Sequence, residues 1–246
     1  MPTYDQTEAA RARYENRYEA SIRRALIQQG AQAVAMWEAS GSPELAAAVI
    51  TKNGLQQALE VVYEKAGDYF AKEAYDQLTT QKSIKAAPPT EVRTGWLSRL
   101  KNFISTEGAQ RLSGMVETTR EQVRKVLSQV VAEGQSVAEG AKTLRQHIAT
   151  ISKARATTII RTEVVAASNA GSFFGAQATG VALDKFWIAT KDSRTRADHI
   201  AADRQTVGMN DTFLVGGYAA RYPGDPMLPA AQIIRCRCSL GYRPKS

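Results

Sequence analysis

Five ionisable side chains fall within the eight residues from Asp192 to His199: Asp192, Arg194, Arg196, Asp198 and His199. A helical turn starting near Thr195 would set Arg196 and His199 three residues apart on one face. Asp192, just ahead of that turn, would accept backbone N–H groups. On the structural reading, this is a charged network pinning a loop onto a sheet, which is what most surface charge clusters are. The chemical readings are a phosphate site, or a metal or general-base pair.

The second group is Cys236-Arg237-Cys238, within an expected closing strand from Ile233 to Leu240. Alternate strand residues share a face, so both thiols point one way and Arg237 the other. Their α-carbons would lie roughly 6.5 Å apart, at the long edge of disulfide geometry, so a mutual disulfide is not expected. Two thiolates on one face are half a zinc site, which His199 and either Asp192 or Asp203 could complete. The plainer alternative is a pair of small apolar core residues. Arg161, Thr162, Glu163 and Asn169 add polar groups to a helix otherwise rich in small and apolar residues. Arg161 and Glu163 diverge on a helix, so each needs a partner from another element. Asn169 returns to the face of Thr162, and this stripe is expected to anchor C-terminal loops by hydrogen bonds. A catalytic Glu163 is the alternative. His147, at a helix end, is read as structural.

Helices must position these groups. Tyr14, Tyr18, Ile22, Leu26, Val34 and Trp37 recur at helical spacing between Asp5 and Trp37. Ser42-Pro43-Glu44 reads as a helix start. Leu55, Leu59, Val62, Ala66 and Tyr69 form the next stripe, which fades near Thr79 and Thr80. Residues 81–95 read as a connector, because Pro88-Pro89 lacks donors and imposes extended backbone before it. A short helix is expected from Trp96 to Ile104, and a strongly amphipathic one carries Leu112, Val116, Thr119, Val123, Leu127 and Val130. Ser136-Val137-Ala138-Glu139 has capping-box spacing and opens a helix through Ile148. A further helix is expected from Ser152 to Ala178, ending at Gly180. Beyond Val181 the character changes. Lys185 to Ala189 and Phe213 to Val215 read as strands, and Gly216-Gly217, Pro223-Gly224 and Pro226 punctuate loops.

The 246 residues suffice for a sizeable core and one or two domains. No apolar run approaches a membrane span. Met1 to Glu15 carries no apolar stretch of the signal-peptide kind, so folding inside the cell is the expectation. Two cysteines make no disulfide framework. The net charge is +8, concentrated at the rear: residues 1–150 hold 19 Lys and Arg against 17 Asp and Glu, residues 151–246 hold 13 against 7. Such a surface suits sequence-independent phosphate contact, with Arg194, Arg196, Arg204, Arg235 and Arg237 as candidate DNA-binding cations. A merely soluble basic protein is the alternative.

The ordered series Arg161-Thr162-Glu163, Asn169, Trp187, Asp192-x-Arg194-x-Arg196-x-x-His199, Pro223-Gly224-Asp225-Pro226 and Cys236-Arg237-Cys238 resembles the phage Mu F-like head morphogenesis family over roughly residues 110–243. Ala202-Asp203-Arg204-Gln205 keeps the Asp and Gln of a family segment and carries Arg204 where the family has Gly. The resemblance implies a minor head protein of a tailed phage or prophage, at the portal vertex inside the capsid and in the host cytoplasm during assembly. It implies partners among portal, capsid and scaffolding proteins and phage DNA, with no membrane and no catalytic residue. Arg161, Glu163, Asn169, Asp192, Arg194, Arg196, His199, Asp203 and Asp225 would then form a structural polar network. Zinc on His199, Cys236 and Cys238 is the one cofactor the residues suggest. The competing reading is a metal-dependent nuclease or phosphate-processing enzyme using Asp192, Arg194, Arg196 and His199. The expected fold is α+β: a helical region over 1–80, a linker and short helix over 81–105, and a Mu F-like domain over 106–246 that is helical to about residue 180 and loop-rich with short strands beyond.

Overall fold

Three long helices set the frame of the computed structural model, which describes residues 4–80 and 88–245. They are α1 (Tyr4–Ser40), α3 (Asn53–Thr80) and α6 (Val137–Ala178). The short α2 (Pro43–Ala48) follows Ser42, whose Oγ accepts the Leu45 N–H at 3.3 Å. α4 (Thr90–Asn102) starts directly behind Pro89, and α5 (Ala109–Ala132) returns along the bundle. The helix expected from Trp96 therefore begins six residues earlier. Of the connector expected over 81–95, residues 81–87 lie outside the described residues, 88 and 89 are irregular, and 90–95 belong to α4 instead.

α6 replaces the two helices expected over Ser136–Ile148 and Ser152–Ala178. Residues 149–151 contain neither Gly nor Pro, and nothing there frees the backbone from the helical ladder. Its start is the capping box of the sequence: Ser136 Oγ accepts the Glu139 N–H, and the Ser136 N–H donates to the Glu139 carboxylate at 2.8 Å. Such a cap contributes about 1 kcal/mol. α6 crosses α3 closely, because two α6 glycines face its backbone. A Cβ on Gly171 would lie 2.1 Å from the Gly67 carbonyl oxygen, and one on Gly175 2.1 Å from that of Ala71.

Beyond α6 the chain forms two small antiparallel sheets. β1 (Leu183–Ile188) is central in the first, between β2 (Thr206–Gly208) and β5 (Ser239–Pro244), with Phe186 opposite Thr206 and Gly241. β3 (Phe213–Val215) and β4 (Tyr218–Ala220) form a hairpin. α7 (Ala197–Ala201) and α8 (Ala230–Ile233) are single turns. The closing strand expected over Ile233–Leu240 is corrected: it begins at Ser239, and the Cys pair precedes it in irregular chain that starts from a turn, the Cys236 N–H donating to the Ile233 carbonyl. Arg235, at φ 58°, bends the backbone between α8 and that segment.

One hydrophobic core runs from α1, α3 and α4 through α6 into the strands, enclosing Leu55, Tyr63, Phe103, Phe174, Trp187, Phe213 and Tyr222. A second core joins the rear of α1 to α2, α5 and the start of α6 around Trp37, Ile50 and Leu127. Among the described residues no helix is long and apolar enough to cross a membrane.

Candidate functional site

The inner face of α6 carries the polar groups that hold the C-terminal loops. Asn169 is 2% exposed, and its Nδ2 donates to the carbonyls of Pro223 and Cys238, each at 3.0 Å. Arg11 of α1, 1% exposed, completes this junction. Its Nε donates to Ser168 Oγ at 2.8 Å, Nη1 to Glu8 at 2.7 Å and to the Arg237 carbonyl at 3.2 Å, and Nη2 to Asn169 Oδ1 and the Cys238 carbonyl. One guanidinium thus ties the first helix, α6 and the Cys segment together. Thr162 Oγ1 accepts the Arg235 N–H at 3.0 Å, and Thr158 Oγ1 accepts from the Arg235 side chain at 2.9 Å.

Glu163 is fully buried. Its Oε2 accepts from Tyr63 Oη at 2.8 Å and from Arg111 Nη2 at 2.7 Å, while Arg111 Nη1 reaches the Gly224 carbonyl. Arg161 takes no part: it points outward, 62% exposed, toward Glu15 at 3.4 Å. The divergence of positions two apart on a helix separates the two side chains. Glu163 and Arg111 lie in the wall of a groove of about 960 Å³ between α5, α6 and the Pro226–Arg235 segment, with Met227 and Ile234 exposed on its lining. Gly224, at φ 83°, lets the Pro223–Pro226 turn sit against Ala166, whose Cα would be 2.9 Å from a Cβ there. Asp225 is buried inside that turn. It accepts the Arg221 N–H at 2.7 Å, the Arg221 guanidinium at 2.8 and 2.9 Å, and the Met227 N–H at 3.1 Å. Lys185, buried beside it, donates to the Arg221 carbonyl at 2.9 Å and lies over the rings of Phe173 and Phe213. Burial pulls its pKa down to about 8.

His199, Cys236 and Cys238 meet in the interior, 1%, 4% and 1% exposed. His199 Nδ1 lies 3.3 Å from Cys238 Sγ and 3.5 Å from Cys236 Sγ. On the other side of the ring, Nε2 meets Gln232 Oε1 at 2.9 Å, and Gln232 Nε2 donates to Asp198 Oδ2 at 2.6 Å. This chain fixes the tautomer. A carboxylate accepts only, so the amide nitrogen faces Asp198 and the amide oxygen faces His199. Nε2 therefore carries the proton, and the Nδ1 lone pair faces the two sulfurs. The Cys238 N–H also donates to Cys236 Sγ at 3.4 Å. A hydrogen bond from the Cys238 thiol holds the Cys236 thiol below its ordinary pKa against burial; the same bond, with burial, pushes Cys238 well above. Trp187 stands edge-on to the imidazole, ring centroids 5.8 Å apart.

The other charged residues of the Asp192–His199 segment do not join this cluster. Asp192 forms a surface pair with Arg237 through both carboxylate oxygens, and it accepts the Arg194 N–H at 2.9 Å. The Arg237 bonds hold its carboxyl well below the ordinary carboxylate range. Arg196 donates to the Ile234 carbonyl. Asp203 accepts the Ala189 N–H at 2.9 Å. Arg194 and Arg204 project outward, 78% and 83% exposed. Asp192 is thus engaged with Arg237 at the surface and His199 with the Cys pair and Gln232 in the core, and the two do not form the expected pair. Arg11, Tyr63, Arg111 and Gln232 were not singled out from the sequence. Arg11 alone left a signal there, as a cation in line with Tyr14, Tyr18 and Ile22 on the apolar face of α1.

Residues 121–241 match the family model of Phage Mu protein F like protein. This half of the chain belongs to the Phage Mu protein F like family. The Mu F-like segment runs from within α5 into β5 and contains the His/Cys cluster and the Asn169 and Asp225 anchors, while Arg11, Tyr63 and Arg111 reach it from outside. The chain is 26% identical over 195 residues to an uncharacterized protein, YqbB, of Bacillus subtilis (strain 168), an alignment covering 78% of this chain and 58% of that one. It is 30% identical over 137 residues to the minor head protein GP7 of Bacillus phage SPP1, covering 53% of this chain and 44% of that protein. The chain thus spans about half the length of these curated relatives. No solved structure matches it.

Proposed function

We propose that this chain is a minor head protein of a tailed phage or prophage, seated at the portal vertex inside the head, where it supports head assembly and DNA packaging or ejection. The observation that carries this reading is the Mu F-like segment together with its similarity to the minor head protein of phage SPP1. The role asks for rigid anchoring and not turnover, and the buried groups described above are engaged in holding elements together. The portal protein and its capsid or scaffolding neighbours are the partners, met by the helical front.

DNA is the second partner, held without sequence preference. The basic excess of residues 151–246 supports this, as do the exposed Arg194 and Arg204 and the nearby Lys191, 70% exposed and paired only loosely at 3.7 Å to Asp203. Arg196, Arg235 and Arg237 spend donors on Ile234, Thr158 and Asp192 and are secondary contacts. Titration of a labelled duplex at several salt concentrations tests this. Affinity should fall with salt, and Arg194→Ala with Arg204→Ala should lower the log–log slope by about 1 for each phosphate no longer neutralised, equally for unrelated sequences. A salt-insensitive affinity, or a slope unchanged in the double variant, would remove DNA contact at this surface from the account.

A further inference from the structure

We propose that His199, Cys236 and Cys238 bind one zinc ion, as a structural centre that ties α7 to the chain entering β5. Zinc with Zn–S near 2.3 Å and Zn–N near 2.05 Å in a tetrahedral shell separates N and S ligands by about 3.6 Å. His199 Nδ1 lies 3.3 and 3.5 Å from the two sulfurs, and all three ligand atoms lie within 4.8 Å of one another. The ligand atoms are therefore already spaced for the ion.

Three further observations point the same way. The Asp198–Gln232–His199 relay puts the ring proton on Nε2 and leaves the Nδ1 lone pair facing the sulfurs, as a metal-bound histidine requires. The Cys238 N–H donates to Cys236 Sγ, a bond that strengthens when that sulfur becomes a thiolate. Arg11, whose guanidinium reaches the Cys238 carbonyl, places positive charge beside the site. Binding converts two thiols and a neutral imidazole plus Zn²⁺ into a neutral complex, releasing two protons to solvent. A neutral complex suits a buried site. No fourth His, Cys, Asp or Glu joins the group among the described residues, so a water takes the remaining position. Mixed N and S donors favour zinc over magnesium or calcium.

The experiment uses the full chain, reduced and stripped of metal, titrated with Co²⁺ and then Zn²⁺. One equivalent of cobalt should produce the intense visible bands of a tetrahedral site with thiolate charge transfer, and one equivalent of zinc should abolish them. Cys236→Ser and His199→Ala should remove the bands, with helix content checked by circular dichroism. Gln232→Ala, which leaves all three ligands in place, should weaken cobalt binding about 10–100-fold. Its readout keeps the idea testable should the ligand variants misfold. Absence of the bands in the wild-type chain, with no zinc retained on purification, would overturn the proposal. A spectrum unchanged in both folded ligand variants would overturn it equally.

Discussion

Asn169 makes two donations from a buried amide to the carbonyls of Pro223 and Cys238 and accepts one hydrogen bond from Arg11. Asn169→Ala strands these groups in the interior. A cost of about 2–3 kcal/mol is expected, because orphaned buried polar groups cost about 1–3 kcal/mol each. Urea unfolding checks it, and a loss below about 0.5 kcal/mol would show the junction to be unimportant. Lys185 yields a pH signature. Between its folded pKa of about 8 and the ordinary lysine value near 10.4, the unfolded chain holds the proton that the folded chain has released. Stability from this group therefore rises with pH across that window, by at most about 1.4 kcal/mol per unit. The difference between wild type and Lys185→Met, followed by urea unfolding from pH 7 to 10, should move in favour of wild type as pH rises. A flat difference would contradict the burial argument. At this scale Glu163 and Asn169 stood out in the sequence as charged and amide groups in a helix of small and apolar residues, His199 as one of a dense run of ionisable residues, the Cys pair as thiols at alternate positions, and Asp225 through the family's Pro-Gly-Asp-Pro motif. Arg111 did not, since it is one of three arginines on the amphipathic α5, and only tertiary packing turns it inward to Glu163.

Among the elements, the α3–α6 crossing decides the placement of everything behind it. Gly171→Ala should destabilise the chain by about 1–3 kcal/mol through overpacking against the Gly67 carbonyl, although alanine is the better helix former by about 1 kcal/mol. Gly114→Ala on α5, where a Cβ meets nothing within 4 Å, should raise stability by about 0.5–1 kcal/mol. Thermal melts of the pair separate backbone approach from propensity, and a stabilised Gly171→Ala would refute the close crossing. The periodic stripes located the helices well, because each buries one face. The break expected near residue 150 did not occur, since a weakened apolar pattern does not end a helix without a breaker. The strands β2 (Thr206–Gly208) and β4 (Tyr218–Ala220) were missed because Gly208 and the two alanines carry no strand signal, whereas the equally short β3 is a run of Phe, Leu and Val.

At the scale of the molecule, one core unites the helical front with the strand region, and Arg11 reaches from the first helix to the Cys segment. The α+β class and the basic rear were legible from composition and pattern. The continuity of the core was not, because Arg11 and Cys238 are 227 residues apart and no local rule pairs them. Residues reaching the Mu F-like segment from α1, α3 and α5 tie this segment and its helical front into one structural unit. The most direct test is to purify mature heads from a phage that carries this chain, treat them with protease, and quantify the chain by mass spectrometry before and after opening the capsid. A minor head protein at the portal vertex predicts a small fixed copy number per head, protected until the capsid is opened. A chain absent from purified heads and confined to the lysate would contradict the account.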